Sequence, residues 1–206
     1  TVDADIPGCD LPMVYRPEDI LVDGVRPTGN ILLVDGEGQH ASTGLAELLS
    51  DGGGQVTYMT AGFTPLSPRL VDSFESKLVV KRLKAAGVKF LPTTWVRQIR
   101  DRSVIVYDVH TDVEQILTEI GAVVLVTGRV PVDDLARQLE GKVSQLFTVG
   151  DALAARPFAA ATYEGQKFAR LIGEPGAPTT VHEVYFQADD PVVLPFPADV
   201  PRVSTL

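Results

Sequence analysis

Two uninterrupted apolar runs, Ile31-Leu32-Leu33-Val34 and Ala122-Val123-Val124-Leu125-Val126, constrain this chain more than any other feature. A strand with one solvated face alternates apolar and polar residues, whereas a strand buried on both faces need not. Both runs therefore predict central strands of a parallel sheet covered on its two sides. Between them the pattern switches period. Leu45, Leu48 and Leu49 fall at helical spacing over Ser42–Leu49, with Ser42 or Thr43 as the cap, and Gln55–Thr60 supplies the next strand. The result is a βαβ start and an α/β fold class.

The turn after the first run, Asp35-Gly36-Glu37-Gly38, gives the spacing Gly36-x-Gly38-x-x-Ala41, which matches the dinucleotide fingerprint in its expected strand-to-helix context. Gly36 and Gly38 are thus candidate nucleotide-side residues. The chemistry around them opposes that match, because a pyrophosphate must sit against bare N–H groups at a helix N-terminus. Asp35 and Glu37 flank the glycines. Two like charges about 4 Å apart repel by roughly 4 kcal/mol at an effective dielectric of about 20, enough to offset what the helix N-terminus contributes. The second strand ends in Met59-Thr60-Ala61-Gly62, without the Asp or Glu that takes the ribose of NAD or the Arg that takes the phosphate of NADP. NAD(P) is not expected in this loop.

Beyond the βαβ start, Ser67–Ala86 reads as the longest helix, with Leu70, Phe74 and Leu78 as its i, i+4 stripe, a basic solvated second half and Gly87 as its stop. Lys89-Phe90-Leu91 is a further strand. Trp95–Ile99, Val104–Tyr107 and Val113–Leu117, separated by polar turns, predict a β-meander. The second apolar run stops on Thr127-Gly128-Arg129, where a glycine lets the chain turn sharply at the sheet edge. Val132–Leu139 reads as a short helix. Next, Leu146-Phe147-Thr148-Val149-Gly150-Asp151-Ala152 joins a short strand to a Gly-Asp turn, and Ala159–Ile172 is helical. A carboxylate at the tip of such a strand lies where open α/β sheets bind ligands; the competing reading is that Asp151 caps the helix beyond it.

The chain has 206 residues, 45% of them hydrophobic and 22% charged, as in ordinary globular proteins. Its net charge of −9 and lack of a Lys/Arg block give no nucleic-acid surface. The single cysteine, Cys9, leaves no internal disulfide, no Cys-rich zinc site and no complete iron–sulfur ligand set, and a cytoplasmic location is expected. His40, His110 and His182 each lack a neighbouring ligand or nucleophile in sequence, so no metal or triad chemistry is expected. No apolar run has the roughly eighteen residues a membrane span needs. The first residue is Thr1, and residues 1–29 read as a looping connector, so the chain is expected to begin mid-protein. The tail, residues 175–206, is rich in proline and apolar residues and reads either as an extended arm on another domain or subunit or, by composition alone, as disorder.

A family resemblance rests on the order of four segments. They are Pro7-Gly8-x-Asp10-Leu11-Pro12-x-Val14-Tyr15-x-Pro17-Glu18-Asp19, the βαβ at Ile31, Val124-Leu125-Val126-Thr127-Gly128-Arg129-x-Pro131, and Val149-Gly150-Asp151-Ala152 followed by Ala159-Ala160-Ala161. Together they resemble the C-terminal nucleotide-binding region of the trimethylamine dehydrogenase, histamine dehydrogenase and dienoyl-CoA reductase branch of old yellow enzymes. Each motif is weak; their order and spacing are specific, and the resemblance covers nearly the whole chain.

The resemblance implies an enzyme in three parts: an FMN-bearing TIM barrel, an iron–sulfur segment, and a paired nucleotide-binding region similar to glutathione reductase. This chain would be the last part. Residues 30–120 would be its Rossmann-like NAD(P)-type domain with the β-meander, and residues 121–174 the closing half of its flavin-type domain. Gly150, Asp151 and Ala152, with Thr127 and Gly128 along the same edge, would face ADP or FAD there, the rest of that site lying outside these residues. No catalytic residue is expected in this chain alone. The implied function is that of a noncatalytic nucleotide-binding portion or subunit of an amine dehydrogenase or N-demethylating oxidoreductase, oligomeric, joined to the barrel and iron–sulfur part and passing electrons to an electron-transfer flavoprotein. Two alternatives stay open: a docking subunit without nucleotide chemistry, and an NAD(P)H-linked enoate or dienoyl-CoA-type reductase.

Overall fold

The structure, a computed structural model, describes residues 6–64, 75–156, 158–174 and 180–181. The chain divides into two units, Thr1–Val130 and Pro131–Leu206.

In the first unit both apolar runs become neighbouring strands of one five-stranded parallel sheet. Its members are β1 (Val14–Tyr15), β2 (Asn30–Asp35), β3 (Gln55–Thr60), β4 (Lys89–Leu91) and β8 (Ala122–Val126), in the order β1-β8-β2-β3-β4. Three helices, α1 (Pro17–Leu21), α2 (His40–Asp51) and α3 (Ser76–Ala85), cover one face. A three-stranded antiparallel meander, β5 (Thr94–Arg100), β6 (Ser103–Asp108) and β7 (Glu114–Thr118), covers the other. Strand parity sorts the core between the two faces. Ile31, Leu33, Tyr58 and Val124 pack with the helices, whereas Leu32, Val34, Met59 and Val123 pack with the meander.

This arrangement is the expected α/β class with a separate antiparallel sheet. Three details differ from the sequence expectations. Ala122–Val126, expected to begin a later domain at residue 121, is instead hydrogen-bonded between β1 and β2, so that the division falls at Val130. All five of its residues are buried, as a strand flanked on both sides and covered on both faces requires. Val14–Tyr15, inside the expected connector, is an edge strand of the same sheet. Helix α3 is described from Ser76; residues 65–74, including Leu70 and Phe74 of the expected stripe, lie outside the described residues. Within α3, Leu78 is 60% exposed and Val79 and Leu83 make the contact with the core, a face rotated by one residue.

The second unit holds α4 (Asp134–Leu139), β9 (Leu146–Phe147), a 3₁₀ turn (Gly150–Ala152), α5 (Phe158–Ala169) and β10 (Thr180–Val181), which pairs parallel to β9. Phe147 stacks on Phe168 of α5 at 5.4 Å. The arm expected over 175–206 lies outside the described residues apart from β10. No helix among the described residues is long and apolar enough to cross a membrane.

Candidate functional site

Parallel register aligns the ends of three strands in the first unit: Asp35 is paired with Thr60 of β3 and with Val126 of β8. Gly36 and Gly38 follow Asp35, and Thr127 and Gly128 follow Val126, so four of the sequence-predicted site residues meet at this carboxyl edge. The backbones run close together there. A Cβ on Gly36 would lie 3.3 Å from the Thr127 Cα and 3.0 Å from the Trp95 ring. A cleft of about 630 Å³ opens at the edge, with Gly36, Gly38, Thr60, Phe63, Trp95 and Tyr107 among its lining residues.

Asp35 is the last residue of β2 and shares the parity of Ile31 and Leu33, which directs its side chain to the helix-covered face. It is 3% exposed. Its Oδ1 accepts hydrogen bonds from the Gly38 N–H at 2.7 Å, the Glu37 N–H at 3.1 Å and the Ser42 hydroxyl at 2.6 Å. Its Oδ2 accepts from the Tyr58 hydroxyl at 2.5 Å. Burial, then the charge and hydrogen bond of Asp35, push the Tyr58 hydroxyl far above the ordinary tyrosine range, so this phenol is a fixed donor. Ser42, expected as a helix cap, therefore serves Asp35 from within the first turn of α2, whose N-cap residue is Gln39. The two loop carboxylates also part company: Asp35 turns inward, and Glu37 pairs with Arg129 at 3.3 Å.

In the second unit, Gly150 turns the chain after β9 with φ of +60°, in the left-handed region that favours glycine. A Cβ there would meet the Ala161 side chain at 3.2 Å, so the small residues at 150 and 161 allow the turn and α5 to touch. The Gly150 N–H donates to Glu164 Oε2 at 2.8 Å, and Arg156 grips the same carboxylate with Nη1 on Oε1 at 2.6 Å and Nη2 on Oε2 at 2.7 Å. Glu164 is buried. Burial pushes its carboxyl up, but the Arg156 hydrogen bond, the Gly150 N–H and the charges of Arg156 and Lys167 outweigh that and hold it below the ordinary glutamate range. Asp151 is exposed at the tip, with the Arg156 N–H on its Oδ1 at 3.5 Å. Helix α5 begins seven residues later, which places Asp151 outside the capping position.

The expected set is thus split. Gly36, Gly38, Thr127 and Gly128 share the edge of the first unit's sheet, and Gly150, Asp151 and Ala152 form the turn of the second. Sequence reasoning missed Glu164, Arg156 and Tyr58. Glu164 was legible as the one carboxylate on the inward stripe Ala161, Glu164, Phe168 of an otherwise alanine-rich helix.

No protein-family model matches the chain. Dimethylamine dehydrogenase of Hyphomicrobium sp. (strain x) is 24% identical over an alignment of 195 residues that covers 81% of this chain and 26% of that protein. The solved structure of 6-hydroxypseudooxynicotine amine oxidase (HisD) from Pseudomonas geniculata N1 is 34% identical, with a TM-score of 0.77 over 84% of this chain and 26% of that one. Histamine dehydrogenase from Rhizobium sp. 4-9 has the same fold, with a TM-score of 0.72 at 24% identity over 82% of this chain and 28% of its own. The chain resembles the amine-dehydrogenase branch. It spans about a quarter of the length of these relatives. The proteins so named are dehydrogenases and an amine oxidase, hence oxidoreductases.

Proposed function

We propose that this chain is the nucleotide-binding, noncatalytic portion of a flavin-dependent oxidoreductase of the amine dehydrogenase type, and that Gly150, Asp151 and Ala152 contribute to an ADP or FAD site completed by residues outside this sequence. The observation that carries the reading is the 34% identity to an amine oxidase over 84% of the chain, a stretch that includes residues of both units. The chemistry of the turn fits a nucleotide. Asp151 offers an exposed carboxylate at the end of a strand, able to accept hydrogen bonds from two neighbouring sugar hydroxyls. Gly150 keeps the backbone beneath it bare, and the Glu164–Arg156 pair fixes that backbone from behind. FMN and an iron–sulfur cluster belong in this reading to other parts of the enzyme, and electrons pass from it to an electron-transfer flavoprotein.

The test is a titration of the protein, with its barrel part present, against ADP, FAD, NADH and NADPH. Binding of ADP or FAD that Asp151→Ala weakens by roughly tenfold or more, the worth of one or two hydrogen bonds to a charged acceptor, supports the reading. Binding of none favours a docking role instead, a second reading that the capture of the loop N–H groups by Asp35 supports. Tight NAD(P)H binding at Gly36 and Gly38 would replace both with a nicotinamide-linked reductase.

A further inference from the structure

We propose that Asp35 is a built-in substitute for a ligand phosphate: its carboxylate occupies the donors of the first unit's glycine loop and is the residue that determines the refusal of dinucleotides there. A pyrophosphate in a strand–loop–helix cradle is held by loop N–H groups and by the N-terminal turn of the helix. Here the loop's own donors, and one hydroxyl from the first turn of α2, are already used. The N–H groups of Glu37 and Gly38 and the hydroxyl of Ser42 converge on Asp35 Oδ1, and the Gly36 N–H donates to the Val126 carbonyl at 2.8 Å. Tyr58 closes the other carboxylate oxygen from the sheet side. An arriving phosphate would have to displace an anion that is covalently tethered, 3% exposed and held by four donors.

The glycines have an internal use that is independent of any ligand. The bare Cα of Gly36 receives the Trp95 ring, since a Cβ there would stand 3.0 Å from it. Gly38, whose N–H donates to Asp35, takes φ of +63°, the left-handed region that favours glycine, as the chain turns from the loop towards α2. The fingerprint spacing thus survives because the loop still wraps an anion, one supplied by the chain. The charged residues among the cleft's described lining are Asp35 and Glu37, the latter paired with Arg129. Repulsion by the two carboxylates flanking the glycines, the argument available from sequence, gives way to occupation of the loop donors from within.

Removing the carboxylate from the full chain should reopen the cradle. Wild type is expected to show no saturable binding of NADH at millimolar concentration, followed by nicotinamide fluorescence. Inorganic pyrophosphate should leave its Glu37 and Gly38 amide resonances in place. Asp35→Gly, with folding confirmed by Trp95 emission, is expected to bind NADH at least roughly tenfold more tightly than wild type, the worth of about one hydrogen bond to a charged group, with pyrophosphate competing and shifting those two amides. The inference is overturned if wild type and variant bind alike through those amides, or if the folded variant gains nothing. Should Asp35→Gly fail to fold, Asp35→Asn keeps the side chain's shape but not its charge. Amide exchange at Gly38 should then quicken by roughly tenfold, because the bond to a neutral acceptor is weaker, and unchanged exchange would overturn the proposal.

Discussion

The two units each contain a strand that ends in an Asp/Gly turn, and the order of the two residues reverses the outcome. In Val34-Asp35-Gly36 the carboxylate belongs to the last strand residue, so parity drives it into the helix-covered core, where the loop N–H groups close over it. In Val149-Gly150-Asp151 the glycine comes first, the left-handed turn intervenes, and the carboxylate emerges exposed. The second turn still needs an internal anion, and Glu164 provides it from α5, leaving Asp151 available. In this chain the aspartate of such a turn is therefore buried or exposed according to which side of the turn glycine it stands on.

The comparison breaks most directly at Asp35. Asp35→Ala leaves two N–H groups, the Ser42 hydroxyl and the buried Tyr58 hydroxyl without their acceptor, and should destabilise the first unit by about 3–5 kcal/mol. Trp95, the single tryptophan, reports that unit in a urea titration. A loss below about 1 kcal/mol, the net worth of one ordinary hydrogen bond, would mean the carboxylate does not organise the loop.

The corresponding change in the second unit is smaller, because the ion pair keeps some contact with water: the Arg156 side chain is 19% exposed. Glu164→Ala should cost about 2–3 kcal/mol and accelerate amide exchange at Gly150, whose N–H loses its acceptor. Replacing both partners, Glu164→Leu with Arg156→Met, should recover part of that loss, since no buried charge is then left unpaired. Additive losses in the double variant would show that the two side chains do not act as a pair.

How much of this was legible follows from the reach of each signal. The apolar runs at Ile31 and Ala122 announced parallel strands because burial on two faces leaves a mark on every residue of the run. The partition of the sheet did not show: β1 has two residues, too few for any period, and the assignment of β8 depends on pairing across about ninety residues of chain. The loop's negative charge was legible, but the fate of each carboxylate was not. Asp35 shares the parity of Ile31 and Leu33, a local fact, yet the donor that seals it is Tyr58, brought alongside by the register of Leu33 with Tyr58. Glu164 went unread for the opposite reason. Its neighbours Ala161 and Phe168 carry the helical stripe, but its partner Gly150 lies on the turn before the helix, and the hydrogen bond joins them only once α5 folds back.

Tyr58→Phe isolates one donor of the first turn. The phenyl ring retains the packing against Phe90, whose ring centroid lies 5.8 Å away, while Asp35 Oδ2 loses its hydrogen bond. A loss of about 1–2 kcal/mol on the Trp95 transition is expected, and because the loop N–H groups still hold Oδ1, NADH should remain unbound. A gain of NADH binding in this variant would move the gatekeeping role from Asp35 to Tyr58.

The finest distinction concerns acid, and it falls on the second turn. Glu164 has its carboxyl held below the ordinary value of 4.5 in the folded chain, against the opposing effect of burial. A group with a depressed folded value contributes stability that is complete above its unfolded value and is lost as pH falls through the folded one. Stability of the Gly150 turn should therefore be level above about pH 5 and decline below about 4.5, as protons that the unfolded chain accepts first are refused by the Arg156-paired carboxylate. Glu164→Gln keeps an acceptor oxygen for the Gly150 N–H but carries no titrating group, so the exchange rate at that amide should rise at neutral pH and lose this part of its acid dependence. If the variant and wild type show the same acid slope at Gly150, the pair does not hold the turn, and the exposed position of Asp151 must be fixed by the contact of Gly150 with Ala161 alone.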